Sequence, residues 1–184
     1  AALDRNGDGI LQYMMLEGES RHQDAVIRTE VSVQTLREAG VPLERVESGI
    51  ANWDRNQAAA LTESALLEYP EIELILCNND DMALGAIEAL KAEGYNSGDE
   101  SKYIPVVGVD ATAPALEAMK DGSLLGTVLN DSTSQGNASV NIAVAAAQGK
   151  EITEENIGYP VTDDKYVWVD YVKVTQDNYQ DYMS

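Results

Sequence analysis

Short runs rich in Val, Ile and Leu recur along the chain, and between them lie longer stretches whose apolar residues return every three to four positions. The short runs predict strands at Gly9–Leu16, Leu43–Glu47, Ile72–Cys77, Ile104–Val109, Leu124–Leu129 and Tyr166–Val174, most of them of the kind covered on both faces of a parallel sheet. The longer stretches predict helices over roughly Asp24–Ala39, Asn56–Leu67, Asp81–Glu93, Ala113–Lys120 and Ser139–Ala147. Within Asp81–Glu93, Ala83, Ile87 and Leu90 line one side while Glu88 and Lys91 turn outward. Gly40, Gly94 and Gly149 each follow a helix, where a left-handed residue commonly ends the last turn. The alternation predicts an α/β fold with a doubly wound, mostly parallel, Rossmann-like sheet. Ligands of such sheets bind at the carboxyl ends of the strands, so the residues just after each strand carry the functional question. Tyr95–Lys102 reads as an exposed loop and Thr153–Lys165 as a polar connector.

Composition narrows the partners. The 184 residues are 44% hydrophobic and 24% charged, ordinary for a globular protein with a real core, and the net charge is −20. That field opposes nucleic acid and anionic membrane, whereas carboxylates suit a hard cation or a polyhydroxyl ligand. No apolar run reaches the roughly 18 residues that insertion into a bilayer needs. The opening AALDRNGDGI lacks a basic or apolar leader pattern, so a signal peptide is not expected within these residues. The lone Cys77 has no intrachain partner for a disulfide. One His, no G-x-S-x-G and no Gly-rich phosphate loop leave no nucleophile–base set, so an enzyme is not expected.

The strongest local motif is Asp4-Arg-Asn6-Gly-Asp8-Gly9-Ile10-Leu-Gln12. Oxygen-bearing side chains at positions 1, 3, 5 and 9, with Gly at 6 and the Ile10 backbone carbonyl at 7, match the first nine positions of an EF-hand calcium loop. Position 12 departs from it: Met15 stands where a bidentate Glu belongs, and ILQYMML reads as a strand instead of an exiting helix. A calcium (Ca2+) site built here needs a carboxylate from elsewhere in the fold; otherwise the segment is a plain Asp/Asn/Gly turn.

A calcium loop running into a strand, with its last ligand donated from afar, resembles the bacterial periplasmic glucose/galactose-binding protein family. The resemblance continues in order through EGESRHQDAVIRTE, NWDRNQA, ELILCNNDDMALGAIEALKA, IPVVGVDATAPALEAMKDGSLLGTVLND and YVWVDYVKV. It implies a periplasmic binding protein type I lobe in which Glu73 completes the metal set of Asp4, Asn6, Asp8, Ile10 and Gln12. It also implies a hexose site made of His22, Asp24, Arg28, Trp53, Asn79, Asp110 and Asn130. By resemblance, Asp24 and Arg28 attend the anomeric end of the sugar and His22 the hydroxymethyl end.

The chemistry of that set is coherent. Asp24 and Asp110 accept from hydroxyls, Arg28 donates in a fixed fork, and Asn79 and Asn130 do both. Trp53 offers a flat apolar face to a pyranose. Each residue also has a plainer reading: Asp24 and Arg28 as an i,i+4 surface pair, Asp110 as a helix N-cap, Asn79 as turn chemistry, His22 as a structural histidine. Trp168 reads as core or lobe packing.

Family members have two lobes with the sugar between them. By resemblance, residues 1–128 with 166–184 form the C-terminal lobe, and 129–165 is a segment that returns to the other lobe. The chain is therefore expected to be a fragment, to bind sugar weakly without the opposite wall, and to leave its returning segment disordered, repacked or docked on a second copy. The implied activity is hexose binding, in the periplasm or at the cell surface, for delivery to an ABC transporter permease. Rival readings of the same fold are a binder of another small sugar and the effector domain of a sugar-responsive transcription regulator.

Overall fold

The computed structural model describes residues 3–183. The chain divides into two compact units, Ala1–Val128 with Lys173–Ser184, and Leu129–Val172. Residues 166–172 thus fall in the second unit.

The first unit is built on a four-stranded sheet in the order β2-β1-β3-β4, with β1 at Leu11–Glu17, β2 at Leu43–Ile50, β3 at Leu74–Cys77 and β4 at Val106–Val107. All the pairings are parallel, so every strand ends on the same edge. β1 lies centrally and is buried on both faces, with Met14, Met15 and Leu16 fully shielded, which is why LQYMML is continuous in hydrophobicity instead of alternating. The chain runs outward from β1 to β2 and then back across to β3, so the strand order reverses between β1 and β3. A crevice forms beyond the carboxyl ends of strands at such a reversal.

Helices α1 (Gln23–Glu38), α2 (Arg55–Glu68), α3 (Asp80–Ala92) and α4 (Ala113–Lys120) connect the strands. α3 is the most deeply buried, through Met82, Ala83, Ala86, Ile87 and Leu90. Its Gly85 lets α2 approach closely, since a Cβ there would lie 2.1 Å from the Arg55 carbonyl oxygen. Strands β5 (Thr127–Leu129) and β6 (Val172–Val174) make a two-stranded sheet. On the sheet flank a largely apolar hollow of about 490 Å3 is lined by Leu76, Val107, Leu125 and Val174, with Arg28 and Thr127 also on its wall.

The second unit contains α5 (Ser132–Ala147) and α6 (Glu154–Ile157). α5 starts at Ser132, earlier than the Ser139 that periodicity predicts. Asp131 caps it by accepting from the Ser134 N–H at 2.9 Å, and the polar STSQGNAS run is its first two turns instead of a loop. α6 interrupts the expected Thr153–Lys165 connector. The expected strand Tyr166–Val174 reduces to Val172–Val174 plus one antiparallel bridge between Thr162 and Tyr166. Trp168 is not core: it is 69% exposed and stacks on Tyr166 at 5.5 Å. The remaining strands keep their places with shifted ends; Gly9 drops out of β1 because its φ of 83° belongs to a turn.

Candidate functional site

The carboxyl edge of the sheet gathers polar side chains from several loops. Arg28, one turn into α1, is the centre. Its guanidinium donates to the Asn78 carbonyl oxygen at 2.9 Å, pairs with Asp24 at 3.6 Å and with Asp110 at 3.7 Å, and only 14% of its side chain is exposed. Its carbon Cζ also stands 5.8 Å from the centre of the Trp53 ring. His22 meets that indole edge-on, with ring centres 5.3 Å apart. His22, Asp24, Arg28, Trp53 and Asp110 are therefore neighbours, although their loops follow different strands.

Local backbone chemistry makes the arrangement. His22 caps α1 through Nδ1, accepting from the Asp24 N–H at 3.2 Å. Asn52 and Trp53 both adopt positive φ, 51° and 65°, turning the chain sharply after β2 so that the indole covers Gly18. A Cβ at Gly18 would lie 2.2 Å from the indole, so any larger residue there requires the Trp53 ring or its loop to shift. Asn79 caps α3 by accepting from the Met82 N–H at 3.0 Å, and its amide donates to the Trp53 carbonyl at 3.4 Å. Asp110 is not an N-cap; Thr112 takes that position in α4. Asp110 and Ala111 have φ of 126° and 54°, a tight bend that leads the carboxylate toward Arg28. Asn130 belongs to the second unit, directly after β5, where its Oδ1 accepts from the Gln135 amide at 2.6 Å.

Three residues that sequence reasoning passed over hold this edge together. Asn78 is buried; its Oδ1 accepts from the Gly18 N–H at 3.0 Å and its Nδ2 donates to Thr29 at 3.0 Å, pinning the loop after β1 and the helix α1 to the end of β3. Asp80 and Thr127 are likewise buried and hydrogen-bonded to each other at 2.6 Å. Burial pushes the Asp80 carboxyl above its usual range, opposed by the hydrogen bonds from Thr127 and Thr112 and reinforced by the nearby Asp110 charge. Their signal was position alone: Asn78 and Asp80 flank Asn79 at the carboxyl end of β3. Burial also raises the Cys77 thiol well above its ordinary range, leaving it inert.

At the opposite end of β1 lies the Asp4–Gln12 loop. Asp4 accepts from Gly7 at 2.7 Å and Gly9 at 3.0 Å, and Asp8 accepts from Ile10 at 2.8 Å, which lowers its pKa below the usual carboxylate range. Gln12 and Asn6 both donate to Asp8, at 2.8 and 3.1 Å. Glu73, 1% exposed, reaches the loop from just before β3: its Oε1 accepts from the backbone N–H groups of Arg5 and Asn6, while its Oε2 is buried with no hydrogen-bond partner. Among the described residues no cluster of three or more His, Cys, Asp or Glu side chains is drawn together as a metal site. The donors in this loop are mixed, with amide and carbonyl oxygens beside the carboxylates.

Residues 1–151 match the family model described as periplasmic binding protein domain. The chain is 40% identical, over 184 residues and 99% of its length, to the D-galactose/methyl-galactoside binding periplasmic protein MglB of Haemophilus influenzae, 53% of which it covers. It is 35% identical over 154 residues to a putative rhizopine-binding protein of Rhizobium meliloti, aligning 83% of this chain with 48% of that one. The chain thus spans about half the length of the curated relatives it matches. Its fold superposes with a TM-score of 0.80, at 34% identity, on the crystal structure of an ABC transporter solute binding protein from Bacillus halodurans with bound myo-inositol, covering 99% of this chain and 59% of that one.

Proposed function

Because this chain belongs to the periplasmic binding protein domain family, we propose that it supplies one wall of a hexose-binding site serving ABC-type solute uptake in the periplasm, with a structural calcium ion on the opposite edge of the sheet. The observation that carries the sugar reading is the convergence of Arg28, Asp110 and Trp53, within 3.7 and 5.8 Å of the guanidinium, at the strand ends. A hexose presents hydroxyls that donate and accept around an apolar ring. Arg28, braced by the Asn78 carbonyl and two carboxylates, is the donor of the set toward a hydroxyl, and Asp24 and Asp110 are its acceptors. The Trp53 indole takes an apolar C–H face of the ring. His22 meets the indole edge-on, and Asn79 holds the Trp53 carbonyl. The named relatives are binding proteins, which supports a site that holds a ligand.

Galactose is favoured by the 40% identical relative, which is named for D-galactose and methyl-galactoside. A cyclitol is the second reading, favoured by the myo-inositol bound in the 34% identical structure; it offers the same ring of hydroxyls without a ring oxygen. The test is a titration of the isotope-labelled chain with D-galactose, D-glucose, D-ribose and myo-inositol, followed by amide chemical shifts. Weak saturable shifts at Arg28, Trp53 and Asp110, lost in Arg28→Ala, are expected. No shift at these positions with any of the four ligands overturns the reading.

Calcium is proposed on the unpartnered Oε2 of Glu73 and on the hard-oxygen character of Asp4, Asn6, Asp8, the Ile10 carbonyl and Gln12. An orphaned buried carboxylate oxygen costs about 1–3 kcal/mol or more, and a cation shared with the loop removes that cost. Bound there, the ion would cross-link the loop to the segment leading into β3; Asp4, Asp8 and Glu73 would supply its negative charge.

A further inference from the structure

Asp110 and Ala111 stand in succession at φ of 126° and 54°, a conformation that L-residues avoid and that persists only where the surroundings over-determine it. The surroundings can be named. The N–H of Asp110 donates to the Val128 carbonyl at 2.8 Å, that of Ala111 to the Thr127 hydroxyl oxygen at 3.3 Å, and that of Thr112 to Asp80 Oδ2 at 2.8 Å. The Thr127 hydroxyl donates in turn to Asp80 Oδ1 at 2.6 Å, and the Asp80 N–H donates to the Val109 carbonyl at 2.8 Å. Three consecutive loop amides and the carbonyl before them are thus tied to one buried carboxylate–hydroxyl pair and the adjoining β5 backbone. Gly108 belongs to the same device, because a Cβ there would sit 2.4 Å from Asp80 Oδ1. Neither Asp80, 0% exposed, nor Thr127, 3% exposed, can reach a ligand.

We propose that Asp80 and Thr127 are positioning residues that hold the Asp110 loop in its strained bend and thereby set the affinity of the site for a hydroxyl-bearing ligand. The proposal rests on the sugar-binding reading above. In Asp110 the strain has a use: it carries the carboxylate to within 3.7 Å of Arg28 from a loop that would otherwise relax away. The clamp is made of two hydrogen bonds to a carboxylate and one to a hydroxyl, so it fails when the hydroxyl is replaced by a methyl of the same shape.

The test compares the unmodified chain with Thr127→Val and Thr127→Ser by amide hydrogen exchange and by titration with D-galactose. Thr127→Val is expected to speed exchange at Ala111 and Thr112 about tenfold and to weaken the galactose affinity about tenfold, the size of one lost hydrogen bond in a buried site. The amides of α3 and β1 should keep their protection. Thr127→Ser, which retains the hydroxyl, restores both readouts, and a role in packing alone would not produce that rescue. Should Thr127→Val not fold, Asp80→Asn is judged by the same two measurements. Unchanged exchange and affinity in the Val chain, or equal losses in Val and Ser, overturn the clamp. If the unmodified chain shows no response to galactose or to the other three ligands, the reading of the site falls, and the exchange comparison still decides the clamp.

Discussion

Single residues decide the shape of the site. Gly18 is the clearest case, because its missing Cβ is the space the Trp53 indole occupies, at 2.2 Å. Gly18→Ala is expected to expel the indole from His22 and Arg28. In a Trp168→Phe background, which isolates Trp53, its emission should shift to the red and its quenching by iodide rise, while unchanged emission would show that the loop yields instead. Asp80 sets a pH dependence. Burial raises its folded pKa above the unfolded value, so the protonated form is favoured in the folded chain. The associated stability is fully present below the unfolded pKa and lost as pH rises through the folded one. Relative to Asp80→Asn, the unmodified chain should therefore gain urea stability as pH falls through the acidic range; a constant difference would remove Asp80 from the pH response. Arg28, Asp24, Trp53 and Asp110 were legible in the sequence because they follow strands and agree with a family pattern. Asn78, Asp80 and Thr127 were not, since their work is done through backbone amides of residues far off in the chain, and a sequence does not display such bonds.

Elements were legible to the degree that burial wrote them into composition. β1 and α3 stand close to where the sequence put them, because each is buried along most of its length, β1 as a continuous apolar run and α3 through an apolar residue every three to four positions. α5 was misplaced because its start is fixed by one capping side chain, Asp131, ahead of small polar residues that lack a periodic apolar face. β4 and β6 shrank to two and three residues, since strand runs do not reveal where pairing partners stop. The contact of α2 with α3 gives a quantitative test. Replacing Gly85 by Ala improves intrinsic helix propensity by about 1 kcal/mol, yet the new Cβ would strike the Arg55 carbonyl at 2.1 Å, and backbone cannot swing aside as a side chain can. The clash should win, with a net loss of about 1–3 kcal/mol seen as a lower urea midpoint at unchanged slope. A neutral result would mean that the two helices separate without cost.

At the scale of the molecule the dominant fact is a net charge of −20, which makes the compact state repel itself. Diffuse cations relieve that repulsion by screening, and any salt supplies them. A coordinated calcium ion acts differently. It would join the Asp4–Gln12 loop to Glu73, satisfy the buried Oε2 and stabilise only the folded chain. At a hundredfold excess over its dissociation constant the gain is about 2.7 kcal/mol, which for a chain of this size raises the melting temperature by roughly 5–10 °C. The two mechanisms separate in one experiment: melting with calcium, with sodium chloride at equal ionic strength, and with chelator. A calcium-specific rise that chelator reverses and that Glu73→Gln abolishes is expected. Equal shifts from calcium and sodium would reduce the loop to an Asp/Asn/Gly turn whose carboxylates are satisfied by its own amides, as those of Asp4 and Asp8 already are in part. Glu73 would then be a buried charge held by the Arg5 and Asn6 amides alone, and its replacement by Gln should stabilise the chain instead of weakening it.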